Sequence, residues 1–201
     1  MENLVTEERR GTLAAIAGEV LVAQPDATVK LTCAREKPTE PIEPPAHIEC
    51  DSTLEVFNAQ GHRIAALDTG IEGLDWEPAG GNAASLELDL LPLGDTSLIV
   101  VRSHLGEGDE RYQEKTDEQL FALDGELLRE VFRYRVLART EPGPDDSEAK
   151  SEQRTTLVAG KLRTRGVLNL IGTEERIAPG RGRKITTYIW NGSGYIAKQK
   201  P

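Results

Sequence analysis

The chain has 201 residues, with 24 Lys and Arg against 34 Asp and Glu, a formal net charge of −10. That length can bury a sizeable core in one large domain. No apolar run nears the ~18 residues needed for a membrane-crossing helix, overall acidity opposes a general nucleic-acid binder, and 38% hydrophobic with 29% charged residues argues against a disordered chain.

The first segment predicts a short N-terminal helix. Thr6 can cap a first turn holding Glu7 and Glu8. Leu13, Ile16, Ala17, Val20 and Leu21 then recur at helical spacing. Gly11 and Gly18 oppose the helix, and Glu19–Ala23 reads alternatively as a first strand.

From Val29 onward the pattern is β. Val29–Ala34 and Ala46–Cys50 read as short strands flanking a segment with Pro38, Pro41, Pro44 and Pro45. Thr53–Asn58 alternates, and Ala59-Gln60-Gly61 turns the chain into His62–Leu67. The glycine-rich Thr69–Ala84 reads as a loop. Ser85–Leu91 alternates as a half-buried strand, and the continuous apolar run Ser97–Val101 predicts a central one. Gln119–Leu123 and Leu127–Leu137 form a hairpin about Asp124-Gly125. Its second arm puts Phe132, Tyr134 and Val136 on one face, with Arg133, Arg135 and Leu137 on the other. Glu141–Glu152 reads as a flexible acidic loop. Thr155–Ile171 supplies one or two strands bent at Gly160 and Gly166. Lys184–Trp190 and Tyr195–Lys198 flank the hairpin turn Asn191-Gly192-Ser193-Gly194. The expectation is a single mainly-β domain over residues 1–201, a twisted β-sandwich or partly open barrel of about ten antiparallel strands. Turns at Gly61, Gly125 and Gly192 leave a propeller-like repeat fragment as the alternative.

Cys33 and Cys50 close the proline-rich segment. A disulfide there is the favoured reading and implies an oxidising, exported location, periplasmic or secreted. Two buried free thiols in a cytoplasmic protein are the alternative. A zinc site built from Cys33, His47, Cys50 and His62 is a third, though only one tight ligand pair exists. Residues 1–10 are polar and acidic, without the apolar stretch of a signal peptide. With Met1 the single methionine, we read a chain whose leader has been removed, with a natural cytoplasmic start as the alternative.

Two segments carry a resemblance. Leu86–Val101, Leu-Glu-Leu-Asp-Leu-Leu-Pro-Leu-Gly-Asp-Thr-Ser-Leu-Ile-Val-Val, is followed by Gln119-Leu-Phe-Ala-Leu-Asp-Gly125, and the chain closes on Tyr188-Ile-Trp-Asn-Gly-Ser-Gly-Tyr195. These stretches, about a quarter of the chain, resemble exported bacterial β-rich proteins with FG-GAP or VCBS-like repeats. The resemblance implies an exported, β-rich, non-catalytic protein. The family's calcium loop alternates aspartates with a glycine. Here only Asp89 and Asp95 remain, so calcium is not carried over.

Catalytic patterns are sparse. Gly192-Ser193-Gly194 lacks the strand-to-helix setting of a nucleophile elbow. Gly180-Arg-Gly-Arg-Lys184 lacks the spacing of a phosphate loop. His47, His62 and His104 stand apart in the sequence, and no motif implies a cofactor or metal. Charge is the more informative feature. Residues 1–152 carry 14 basic and 32 acidic residues, whereas residues 153–201 carry 10 and 2. Lys161, Arg163 and Arg165 share one face of a strand. Beside a strand bearing Arg133 and Arg135 they would make a basic stripe for an acidic protein or an anionic envelope polymer. Trp76 and Trp190 are candidate anchors for the same partner. The alternative is a solvated sheet face, with the aromatics packed inside.

The sequence therefore predicts a non-enzymatic exported domain binding a protein or a cell-envelope component, of inhibitor or immunity type. A carboxylate-based hydrolase of envelope polymers and a structural, lipoprotein-like module are the alternatives.

Overall fold

A computed structural model describes residues 2–35, 48–75, 83–107, 112–143 and 149–199. It is all β, with no helix among the described residues. Twelve strands follow in chain order: β1 (Glu2–Ala17), β2 (Val20–Arg35), β3 (Ile48–Phe57), β4 (Arg63–Asp75), β5 (Ala83–Leu93) and β6 (Thr96–Glu107), then β7 (Tyr112–Asp124), β8 (Leu127–Glu141), β9 (Ser151–Thr164), β10 (Val167–Ala178), β11 (Gly182–Trp190) and β12 (Tyr195–Ala197). Their order is β12-β11-β10-β9-β8-β7-β6-β1-β2-β3-β4, with β5 on β6. The expected mainly-β class is thus present as one open mixed sheet of twelve strands, not a closed barrel, and not the ten expected.

The architecture is two antiparallel meanders, β1–β4 and β5–β12, spliced by β1. Leu13 pairs parallel with Ser97 of β6, and Ala15 parallel with Leu123 of β7. This splice makes β6 and β7 a shared wall. Ile99, Val101, Phe121 and Leu123 face one apolar core with Val29, Leu31, Leu54 and Val56. Leu98, Val100, Leu120 and Ala122 face the other, with Leu157, Leu170, Trp190 and Tyr195. The two flanks of the sheet curl over opposite faces of that wall. Ser97–Val101 is apolar without alternation because both its faces are buried.

The same fact corrects the predicted N-terminal helix. Leu13 and Ala15 join the first core, while Ala14 and Ile16 join the second. A strand buried on both faces places apolar residues at adjacent positions, which imitates helical spacing. Gly18, with φ 62, opens the two-residue turn Gly18-Glu19 between β1 and β2.

Three other expectations shift. The predicted loop Thr69–Ala84 is strand as far as Asp75 and again from Ala83, with 76–82 outside the described residues. The predicted flexible loop Glu141–Glu152 contracts, since β8 reaches Glu141 and β9 begins at Ser151; residues 144–148 lie outside the description. The hairpin after β7 turns on Gly125-Glu126, one residue later than expected, with Gly125 at φ 62. The expected bends at Gly160 and Gly166 have distinct origins. Gly160 lies within the register shift between β9 and β10, and Gly166, at φ 78, completes the Arg165-Gly166 turn.

Candidate binding surface

Across the shared wall runs a row of polar side chains in direct register. Glu87 is opposite Arg102, Arg102 opposite Glu118, and Glu118 opposite Tyr134. Arg102 donates from Nε to Glu118 at 2.8 Å and from Nη1 to Glu87 at 2.7 Å. The Tyr134 hydroxyl donates to the other Glu118 oxygen. Glu118 is buried. Burial, then the hydrogen bond to Glu118, pushes the Tyr134 hydroxyl well above its usual range. For Arg102, burial opposes the charge, but the bonds to Glu118 and Glu87 outweigh it and raise its pKa. Arg102, Glu118 and Tyr134 of this row floor a cleft of about 370 Å3 that is also lined by Asp89, Thr155 and Thr156. Both carboxylates of the row are engaged by Arg102, so the arrangement braces four strands rather than presenting a free acid–base pair. His104 is likewise engaged, with Nδ1 2.9 Å from Thr116 Oγ1.

The predicted docking residues fall in four places. Trp190 is fully buried, which removes it from any docking surface. Its indole Nε1 donates to the Glu19 carbonyl at 2.6 Å, and its ring meets Tyr195 edge-on with centroids 5.4 Å apart. Tyr195 in turn donates from its hydroxyl to the Leu168 carbonyl at 2.9 Å. Trp190 thus fastens the β1–β2 turn to the last hairpin. Trp76 lies outside the described residues.

Arg133 and Arg135 are exposed but matched. Arg133 bonds Glu130 at 2.7 Å, and Arg135 reaches both oxygens of Asp117 at 2.8 and 3.1 Å. Lys161, Arg163 and Arg165 are elsewhere. β8 and β9 are neighbours, but they pair only from Leu137↔Arg154 to Thr140↔Ser151. The far end of β9, with Lys161 and Arg163, has left β8 there, and Arg165 lies in the β9–β10 turn, so the expected continuous stripe does not assemble. Arg163 donates to the Gly166 carbonyl at 2.7 Å, and Arg165 pairs with Glu19.

The cysteine and metal expectations remain outside what is described. The backbone register sets Cys33 opposite Ser52 and Cys50 opposite Gly73, while their side chains and His47 fall beyond the described residues. His62 is exposed in the β3–β4 turn. Asp89 caps its own neighbour, accepting from the Leu90 N–H at 2.8 Å. Ser193 serves the final turn, donating from Oγ to Asn191 at 3.1 Å.

What sequence reading passed over is the flank formed by β9, β10 and β11. Tyr188 and Trp190 point to the second core, so Ile185, Thr187 and Ile189 point away from it. Ladder partners share a face, which sets Val158, Ile171 and Thr187 in one row and Thr156, Thr173 and Ile185 in the next. Val158 and Ile185 are 55% and 59% exposed, and neighbouring Ile196 is 48% exposed. At the end of this apolar face the β10–β11 tip bounds a hollow of about 490 Å3 with Arg176, Ile177, Arg181 and Arg183. Glu175 approaches Arg183 at 3.7 Å. Arg176, Arg181 and Lys184 have no ion-pair partner among the described residues.

A contrasting hollow of about 670 Å3 lies on β1–β3. There Glu8 sits between Arg10 at 2.9 Å and Lys30 at 3.6 Å, and Lys30 lies over the Phe57 ring. Its cations are matched internally, whereas Arg176 and Arg181 of the β10–β11 tip have no ion-pair partner among the described residues. Alternation in Thr155–Ile171 could have signalled the exposed apolar row, but only the hairpin register places it beside Ile185. No family model matches the chain, and no curated protein or solved structure matches it either.

Proposed function

We propose that this chain is a non-catalytic binding domain whose β9–β11 flank receives an acidic protein partner. The observation that carries the reading is the unmatched basic tip of β10–β11, set beside an apolar sheet face in a chain otherwise rich in acid. Apolar area supplies affinity, and the cations supply orientation and association rate. The partly matched Arg133 and Arg135 contribute little to such a surface, because Glu130 and Asp117 already hold them.

Poly-L-glutamate is a direct probe of this charge preference. It binds the native protein at low salt through the basic β10–β11 tip. Reversing Arg176, Arg181 and Lys184 to Glu weakens binding at least tenfold and flattens its salt dependence. Equal affinity in the reversed variant overturns the reading.

Export belongs to the same proposal and rests on the cysteine pair together with the FG-GAP or VCBS-like resemblance. Intact mass after alkylation, with and without reduction, tests it. Cys33 and Cys50 resist alkylation until reduced; free alkylation of both removes the disulfide and the main support for export.

A further inference from the structure

The last strand, β12, covers only part of β11. Its ladder pairs Tyr188, Ile189 and Trp190 with Ala197, Ile196 and Tyr195, and the Lys198 N–H adds one bond to the Thr187 carbonyl at 2.8 Å. From Gly182 to Thr186, β11 is laddered on its β10 side alone among the described residues. Backbone groups alternate in direction along a strand. Because the Thr187 carbonyl faces the β12 side, the N–H and C=O groups of Ile185 and Arg183 face the same, open side.

We infer that this bare stretch of β11 receives an extended acidic segment of a protein partner as an added strand. The inference rests on the reading of the flank as an acidic-partner surface and specifies how the partner sits. An open edge beside exposed apolar residues is a template for strand addition. A polypeptide suits it better than an anionic polysaccharide or a nucleic acid, since only a polypeptide supplies alternating donors and acceptors along the edge. The charges select which polypeptide. Arg183 and Lys184 lie within the open stretch, on opposite faces of β11, and Arg176 and Arg181 stand at its end. An incoming strand that alternates acidic and apolar residues places its carboxylates on the face of Lys184 and Arg176. Its apolar side chains extend the face that carries Ile185 and Val158.

An eight-residue peptide alternating Glu and Val is the probe. It binds the native protein and slows amide hydrogen exchange at Arg183 and Ile185, without slowing it at Ile189, whose backbone β12 already holds. The same peptide N-methylated at alternate residues keeps its charge but loses edge donors, and it binds at least tenfold more weakly. Ile185→Pro removes an edge N–H while retaining every charge; it loses the peptide yet keeps its affinity for poly-L-glutamate.

Equal binding of the N-methylated peptide, with no change in exchange at Arg183 and Ile185, overturns strand addition and leaves the acidic-partner reading standing. Failure of both peptide and poly-L-glutamate overturns the two together. Protection of the same amides by protein concentration alone, or by heparin alone, reassigns the edge to a second copy or to a polysaccharide and overturns the inference.

Discussion

Trp190 is half of the chain's tryptophan content, and its position shows how a single side chain joins distant parts of the molecule. Glu19, whose carbonyl it bonds, is 171 residues away. The Glu19 side chain meanwhile pairs with Arg165 in the β9–β10 turn, where Arg165 itself holds φ 52. One two-residue turn therefore anchors two other hairpins. Trp190→Phe keeps an aromatic ring but leaves the Glu19 carbonyl without its donor and a gap beside Tyr195. The expected loss is about 2–3 kcal/mol, read as a lower urea midpoint with unchanged slope. An unchanged midpoint would show that this latch is dispensable. Gly194 supports the same hairpin by close approach: a Cβ there would lie 2.8 Å from the Val131 carbonyl oxygen. Its value in the Asn-Gly-Ser-Gly turn could be read from sequence, but the reason, contact with β8, could not.

At the scale of elements, strands speak through their edges and rows. The Glu87–Arg102–Glu118–Tyr134 row crosses four strands, so its members cannot be recognised as partners until the registers of β5 through β8 are known. Removing one member leaves a charge stranded. Glu118→Leu should cost about 2–3 kcal/mol, and Arg102→Met/Glu118→Leu should recover at least half of that loss. A double-substitution cycle of urea unfolding measures the coupling, and simple additivity would refute it. Turn chemistry was more readable. Gly18-Glu19, Gly94-Asp95 and Gly125-Glu126 each place glycine at positive φ before an acid in a two-residue hairpin. The first of these was obscured because its flanking strands imitate a helix.

For the whole molecule, the decisive feature is the splice of β1 onto β6 and β7. It turns two meanders into one sheet with two apolar cores, and it buries both faces of the central wall. It also brings the β1–β2 turn against the basic C-terminal flank, where Glu19 takes up Arg165. The charge asymmetry between residues 1–152 and 153–201 was plain in composition. Which cations remain unmatched after folding was not. The structure neutralises Arg133, Arg135 and Arg165, and leaves Arg176, Arg181 and Lys184 without ion-pair partners among the described residues. The proposed docking surface is therefore the β10–β11 tip, since Arg133, Arg135 and Arg165 of the predicted stripe are already paired.

Composition and alternation by themselves determined a β-rich chain with a central apolar strand, hairpins about Gly125 and Gly192, and a basic C-terminal quarter. Each is a local property, carried by period-two burial, by glycine at turns, or by residue counts. Tertiary structure alone decided that Leu13–Ile16 is strand, that Trp190 is core, that Arg133 and Arg135 stand apart from Arg163, and that the first half of β11 is laddered on one side only among the described residues. Those outcomes depend on which strands become neighbours and in what register. A one-residue shift in register exchanges the faces of a strand, so no reading of one segment in isolation could reach them.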